Sequence, residues 1–136
     1  MEVKQMCLYD EICKNMCDAP GINFAVMINN RGRKISECKS QAFPLETDEK
    51  KLEMLFMETT LDMSMRKEFD NSFGKISAIV SFRENTTMIT IPYQEDLMLL
   101  SVEPGLDPNE IIQTAYNYLT ANSLRDKSSI EIPQVA

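Results

Sequence analysis

The chain has 136 residues, 43% of them hydrophobic and 26% charged, and it carries a formal net charge of −7 at pH 7. This length and apolar content fit one compact domain, and the excess of acid disfavours nucleic acid as a partner, because a polyanion is repelled on average. No apolar stretch approaches the ~20 residues of a membrane span, and the N-terminal MEVKQMCLYDEICKNM lacks the features of a secretory signal, so we expect a cytoplasmic protein without a membrane span.

The chain begins with a predicted helix over residues 2–18. Its apolar and thiol side chains recur at three- and four-residue spacings, the pattern of one buried helix face. They are Val3, Met6, Cys7, Cys13, Met16 and Cys17. Pro20 and Gly21 follow and end the helix, because proline lacks the backbone donor and glycine favours a turn.

The cysteines raise the question of a metal or redox site. They are Cys7, Cys13, Cys17 and Cys38, and the chain has no histidine to share a metal ion. No two of them form the CxxC pair that common zinc sites use, and intracellular thiols are mostly reduced and buried as small apolar groups. We expect structural thiols and no cofactor, with a metal or redox role as the alternative.

Catalytic chemistry finds little support in the composition. Without histidine, the chain lacks the usual general base near neutral pH and the Ser/His and Cys/His nucleophile pairs. The four glycines are too far apart to form a phosphate-binding loop. We therefore expect a protein that is not an enzyme.

The stretch FAVMINNRGRKISE, residues 24–37, predicts a β-hairpin in which two strands flank a polar, glycine-containing tip. The basic residues at this tip are Arg31, Arg33 and Lys34. No aromatic side chains lie between them to stack on bases. We expect a solvated turn at this tip and no nucleic-acid site.

A long helix is predicted from Thr47, a suitable N-cap, to about Asp70. Projected at about 100° per residue, its large apolar side chains fall on two nearly opposite arcs. One arc holds Leu52, Leu55, Phe56 and Met63, and the other holds Met54, Met57, Leu61 and Met65. A sheet can cover only one of the arcs, so the second should meet another helix, either of this chain or of a second copy.

Three further strands and a helix complete the pattern. The strands are predicted over residues 75–82, 87–93 and 97–102, and the last is apolar enough to be buried on both faces. A helix starts at Asp107 and Pro108. Its buried stripe is Ile111, Ile112, Ala115, Tyr116 and Leu119. Residues 125–136 are expected to form a flexible tail, with Ile130 and Ile132 adding to a sheet edge as the alternative.

The predicted order is α-β-β-α-β-β-β-α, an α+β pattern in which short turns make each group of strands an antiparallel meander. The run from Gly21 to about Leu119 resembles the Roadblock/LC7 family, which has a profilin-like fold. The matching pieces are GINFAVMINNRGRKIS and GKISAIVSFRENTTMITIPYQEDLMLLSVEP. The resemblance implies a three-layer α/β/α domain over residues 1–124, in which a five-stranded antiparallel sheet carries the long helix on one face and the N- and C-terminal helices on the other.

The same resemblance implies function by assembly. Members of the family form homodimers by pairing the long helices and joining sheets edge to edge, and many act as scaffolds or regulators for small GTPases, motors or signalling complexes. We expect a homodimeric interaction module whose interface is formed by Met54, Met57, Leu61 and Met65, with a small GTPase or signalling protein as the candidate partner. The alternative is a small-molecule-sensing domain of profilin-like or PAS-like shape, which would need a pocket with convergent polar groups.

Overall fold

The computed structural model describes residues 3–40 and 48–126 of the chain, with a five-stranded sheet at the centre. Every strand pairing is antiparallel, and the strand order is β2-β1-β5-β4-β3. The strands are β1 (Ile22–Ile28), β2 (Lys34–Lys39), β3 (Ile79–Phe82), β4 (Thr87–Tyr93) and β5 (Asp96–Val102). The two central strands, β1 and β5, are buried along their whole length, which confirms the expectation for β5.

The helices cover both faces of the sheet. They are α1 (Val3–Asp18), α2 (Glu49–Arg66), α3 (Asp70–Phe73) and α4 (Pro108–Asp126), and a 3-10 turn, Lys67–Phe69, joins α2 to α3. Side chains of α1 and α4 share one hydrophobic cluster with the sheet, whereas α2 packs in a second cluster. The predicted three-layer α+β architecture and its element order are therefore confirmed. No helix in the described ranges is long and apolar enough to cross a membrane.

The inner face of α2 is fixed to the sheet by one of the two predicted arcs. Leu52, Phe56 and Met63 are buried against the central strands, and each such side chain contributes about 1.5–3 kcal/mol of burial free energy. The rings of Phe56 and Phe24 stack with their centroids 6.4 Å apart. These contacts determine which face of α2 is turned towards solvent.

The start of α2 lies one residue later than predicted. Asp48 is the N-cap, and its carboxylate accepts a hydrogen bond from the backbone N–H of Lys51 at 2.8 Å. The prediction of Thr47 as the N-cap is therefore wrong, and Thr47 itself lies outside the described residues. An aspartate caps as well as a threonine does, and its charge also favours the positive end of the helix. At the other end α2 stops at Arg66, although the 3-10 turn and α3 carry the helical path on to Phe73.

The third strand is shorter than predicted, since only the second half of residues 75–82 pairs with β4. The closing pair of the two-residue β4–β5 hairpin is Tyr93 and Asp96, and such a pair exchanges both backbone hydrogen bonds. The alternation along β4 then turns Pro92 towards β3, where it has no N–H to donate. Its partner in the extended register would be Ser77, whose carbonyl instead accepts a hydrogen bond from the Tyr116 hydroxyl at 2.5 Å.

The last helix begins as predicted, and the Asp107 carboxylate accepts a hydrogen bond from the backbone N–H of Asn109 at 3.0 Å. The helix runs to Asp126, so it includes the first two residues of the predicted tail. The remainder, residues 127–136, lies outside the described residues. The alternative that Ile130 and Ile132 add to a sheet edge lies there too.

Candidate interaction surface

The second arc of α2 faces away from the sheet. Met54, Met57, Leu61 and Met65 expose 69%, 54%, 62% and 60% of their surface. The N- and C-terminal helices, α1 and α4, cannot cover them, because both pack on the opposite face of the sheet. Within the described ranges, no element of this chain buries the predicted interface residues.

The exposed apolar surface continues beyond the four predicted residues. Phe69 and Phe73 expose 56% and 84% of their surface. From Met57 to Phe73 the large apolar residues follow one another every four positions, which is one of the ridges that helices use to pack. We call this surface the outer stripe; its members are Met54, Met57, Leu61, Met65, Phe69 and Phe73. The sequence prediction missed Phe69, which leaves the arc of Met54 and Leu61 on a helical projection, and it missed Phe73, which lies beyond the predicted helix end at about Asp70.

A groove of about 420 Å³ lies at the end of the outer stripe. We call it the end groove; its lining is Arg66, Phe69, Phe73, Gly74, Ile76, Ala78 and Ile79. It lies where the chain leaves α3 and enters β3 without pairing to β4. Arg66 at its rim is paired with Asp62, with 3.0 Å between Nε and Oδ2. The groove is therefore mainly apolar, with its one lining cation already engaged by a carboxylate.

The tip of the β1–β2 hairpin supports the other end of the stripe. The side-chain oxygen of Asn29 accepts hydrogen bonds from the backbone N–H groups of Arg31 and Arg33 at 2.9 and 3.0 Å. Gly32 between them has φ 76° and is buried against α2. A Cβ atom at Gly32 would lie 3.0 Å from the Cα atom of Met57. The hairpin tip therefore approaches the α2 backbone as closely as a glycine allows.

The basic side chains at this tip point to solvent, as expected for a solvated turn. Arg31, Arg33 and Lys34 are all exposed. The Lys34 ammonium forms an ion pair with Glu37, with 3.0 Å between Nζ and Oε1. Such exposed pairs contribute little to stability, so these charges are features of the surface and not of the core.

Three thiols meet between α1 and β2. Cys13 is buried, and its thiol donates a weak hydrogen bond to the Ser36 carbonyl at 3.9 Å, while the Cys17 thiol donates to the Cys38 carbonyl at 3.0 Å. Burial is the main cause that raises the pKa of both Cys13 and Cys17 to about 12. Thiolates are the nucleophiles and metal ligands, so both groups are poor at either role.

The described residues contain no group of three or more cysteine, aspartate or glutamate side chains placed to hold a metal ion. The side chain of Cys7 lies outside the part that the structure describes. The thiol arrangement of the other three is that of packing groups between a helix and an edge strand.

A buried polar pair anchors α1 to β5. The hydroxyl of Tyr9 donates a hydrogen bond to Asp96 Oδ2 at 2.6 Å, and both residues are buried. Burial raises the pKa of Asp96; the Tyr9 hydrogen bond lowers it in part, and the charge of Glu95 raises it further. The pair lies on the sheet face opposite to α2, away from the outer stripe, and it holds structure together rather than forming part of the surface.

Two of the other cavities that flank α2 bear on the small-molecule alternative. One of about 560 Å³ lies beside the hairpin tip, and one of about 250 Å³ lies between α2 and the β3–β4 pair. Their polar lining consists mostly of exposed charged groups. Two buried carboxylate oxygens have no partner among the described residues, in Glu37 and Asp70, and neither residue lines these cavities. Thr90 is the one buried polar residue that lines them, so they lack the several convergent buried polar groups that a sensing pocket needs.

Comparison with protein families matches residues 1–123 to DUF6659, a family of unknown function. No curated protein matches the chain.

Solved structures share the fold at low sequence identity. A Roadblock/LC7 domain from Streptomyces avermitilis is 12% identical, with a TM-score of 0.67 over 86% of this chain and 94% of that chain. The gliding protein MglB from Thermus thermophilus is 11% identical, with a TM-score of 0.73 over 92% and 95%. A structure of MglB with a tetrameric arrangement is 10% identical, with a TM-score of 0.71 over 88% and 86%. The resemblance to Roadblock/LC7 domains is thus confirmed at the level of the fold.

Proposed function

The chain belongs to the DUF6659 family, and we propose that it acts as a homodimeric, non-enzymatic interaction module of the scaffold or regulatory kind. The observation that carries this proposal is the exposure of Met54, Met57, Leu61 and Met65 on the outer face of α2. Exposed apolar surface of this extent marks an interaction site more often than a monomer surface. Interface centres are also enriched in methionine and aromatic residues, which is the composition of the outer stripe.

The form of the surface favours a helix as its counterpart. Within α2 the outer stripe follows an i, i+4 ridge from Met57 through Leu61 to Met65, and such a ridge packs into the groove of a second helix. Charged and hydroxyl side chains border it, including Glu58 and Asp62 on one side and Ser64 on the other, as in the polar rim of an interface. A second copy of α2 offers the same ridge and the same rim, which is what an isologous two-fold interface requires.

The proposed partner beyond the second copy is a protein. The resemblance to Roadblock/LC7 domains makes a small GTPase or another signalling protein the candidate, and it supports a cytoplasmic location. The related MglB structure with a tetrameric arrangement indicates that this fold self-assembles in that protein. Fold alone does not carry a partner from one protein to another, so the partner must be identified on this chain.

A small-molecule-sensing role is the second candidate. The end groove of about 420 Å³ favours it, since ligand pockets occupy about 300–1,000 Å³. Mass spectrometry of the natively purified protein tests it: a stoichiometric small molecule would support sensing, and its absence would leave the groove to protein contacts.

The dimer proposal is tested by Leu61→Glu. We expect light scattering to give twice the 15.6 kDa chain mass for the wild type and the single mass for the variant, because two carboxylates would meet in an apolar seam. Thr120→Glu places the same charge on exposed α4 and is the matched control, expected to remain dimeric. A wild type at the monomer mass at micromolar concentration contradicts the dimer, and a dimeric, folded Leu61→Glu variant contradicts the chosen face.

A further inference from the structure

We propose that the end groove is filled by the chain's own C-terminal segment, residues 127–136, and that Ile130 and Ile132 are the side chains that enter it. The segment has the sequence KSSIEIPQVA and lies outside the described residues. No second copy of the chain is needed for this contact, so it goes beyond the interaction module proposed above and is independent of it.

The end groove has an apolar wall that the described part of the chain leaves uncovered. Phe69 and Phe73 are both exposed, and their rings stack with centroids 6.1 Å apart. Opposite them the lining continues with Ile76, Ala78 and Ile79. An exposed apolar surface of this kind marks a contact with another apolar group. Aliphatic side chains therefore fit the groove better than charged ones.

The last helix is attached to the stretch of chain that lines this groove. The Tyr116 hydroxyl donates a hydrogen bond to the Ser77 carbonyl at 2.5 Å. The residues on either side of Ser77, Ile76 and Ala78, both line the groove. The chain that follows α4 therefore starts from a helix that already contacts the groove wall.

The length of chain after α4 is sufficient to return to the groove. From Tyr116 to Asp126, the last residue of α4, the helix rises by about 15 Å. An extended chain covers about 3.3–3.6 Å per residue, so Ile132, six residues beyond Asp126, reaches about 20 Å. This reach exceeds the rise of the helix beyond Tyr116. Ile132 can therefore enter the groove, with Ile130 at its nearer end.

The residue pattern of the segment matches a groove with one open side. Ile130 and Ile132 are separated by Glu131 and followed by Pro133. Side chains alternate along an extended chain, so both isoleucines lie on one side and the Glu131 carboxylate on the other. Two apolar side chains can then contact the phenylalanine wall while the carboxylate remains in water.

The other long segment outside the described residues starts from the wrong edge of the sheet. Residues 41–47 connect β2 to α2, and β2 is the edge strand opposite to β3. An ion pair with 3.5 Å between Lys39 Nζ and Glu49 Oε1 joins the residues on either side of this connection. Of the two segments, only the C-terminal one follows an element that contacts the groove wall.

A tryptophan probe tests whether the segment covers the groove. The chain has no tryptophan, so Phe73→Trp introduces a single indole there. In the full chain, adding Ile130→Asp and Ile132→Asp should shift the emission of this probe to longer wavelength, because the indole becomes hydrated. Ser128→Asp with Ser129→Asp adds the same charge to the same segment and is the matched control, expected to leave the emission unchanged. Equal emission with and without the isoleucine substitutions overturns the proposal.

A disulfide tests whether the occupant comes from the same chain. Under mild oxidation with diamide, a chain with Ala78→Cys and Ile132→Cys should form an internal cross-link, identified by mass spectrometry of its linked peptides. Ala78→Cys with Ser128→Cys should cross-link several-fold less, because position 128 reaches only about 7 Å beyond Asp126 and a disulfide requires Cα atoms within ~7 Å. The unmodified chain, with its four native cysteines, sets the background.

The cross-linking results separate this contact from the homodimer. An internal link several-fold above both controls supports docking within the chain. A link that forms only between chains, in a mixture of Ala78→Cys and Ile132→Cys chains, assigns the groove to a second copy and overturns the proposal. Background levels in every sample also overturn it. The homodimer is decided separately, by light scattering of the unmodified chain.

Discussion

The contact between the hairpin tip and α2 gives the sharpest test of the fold, through Gly32→Ala. Gly32 has φ 76°, where an alanine carries about 1–2 kcal/mol of strain. The new methyl carbon would also lie 2.9 Å from the sulfur and 3.0 Å from the Cα atom of Met57. The sulfur can move, but the helix backbone cannot, and overpacking of this kind costs about 1–3 kcal/mol. We expect the free energy of unfolding to fall by about 2–5 kcal/mol.

Gly105→Ala is the control that isolates the steric part. Gly105 has φ 95°, and nothing lies within 4 Å of a Cβ atom built there, so only backbone strain of about 1–2 kcal/mol should appear. Urea denaturation of both variants gives the comparison, with unchanged m values showing that the same transition is measured. Equal losses for Gly32→Ala and Gly105→Ala would refute the close approach of the hairpin to α2.

Two further substitutions test polar contacts between distant parts of the chain. Tyr116→Phe should lower the free energy of unfolding in urea by about 0.5–1.5 kcal/mol, because it removes the donor to the Ser77 carbonyl; an unchanged free energy of unfolding would contradict this role. Asp96→Asn tests pH dependence. Burial raises the folded-state pKa of Asp96, so its stabilising contribution is complete below the unfolded pKa of about 4 and is lost as pH rises through the folded value. The Asp96→Asn variant retains an acceptor for the Tyr9 hydroxyl. As pH rises from 4, its free energy of unfolding, measured in urea, should fall less than that of the wild type. Parallel pH profiles of the two proteins would contradict the argument.

The arrangement of helices and strands could be predicted because the spacing of apolar residues in each element follows from which of its faces is buried. The continuous apolar run of β5 predicted a strand covered on both faces, and it is the central strand between β1 and β4. The two arcs of α2 also follow from spacing alone, since three- and four-residue steps keep side chains on one helix face. Leu52, Phe56 and Met63 pack on the sheet as that spacing requires.

The errors have a common physical cause, which is competition from groups far away in sequence. Residues 75–82 have a good strand pattern, but half of that pattern is overruled by Pro92 on the neighbouring strand and by Tyr116 on the last helix. Strand propensity depends on the partner strand, and that partner cannot be read from the segment itself. The N-cap of α2 was misplaced by one residue because Thr47 and Asp48 are both good caps and sequence offers no means of choosing between them.

The same competition explains why the candidate surface was predicted only in part. A four-residue step turns the ridge by about 40° around the helix, so the outer stripe moves from the hairpin side at Met57 towards β3 at Phe73. On a helical projection that drift makes Phe69 and Phe73 leave the arc of Met54 and Leu61, although they continue the same ridge. The surface beside β3 on which they lie is uncovered because β3 begins only at Ile79. It begins there because Pro92 has no N–H to donate to the residues before Ile79. The end groove is thus a consequence of a missing backbone donor, a cause that no periodicity within α2 could reveal.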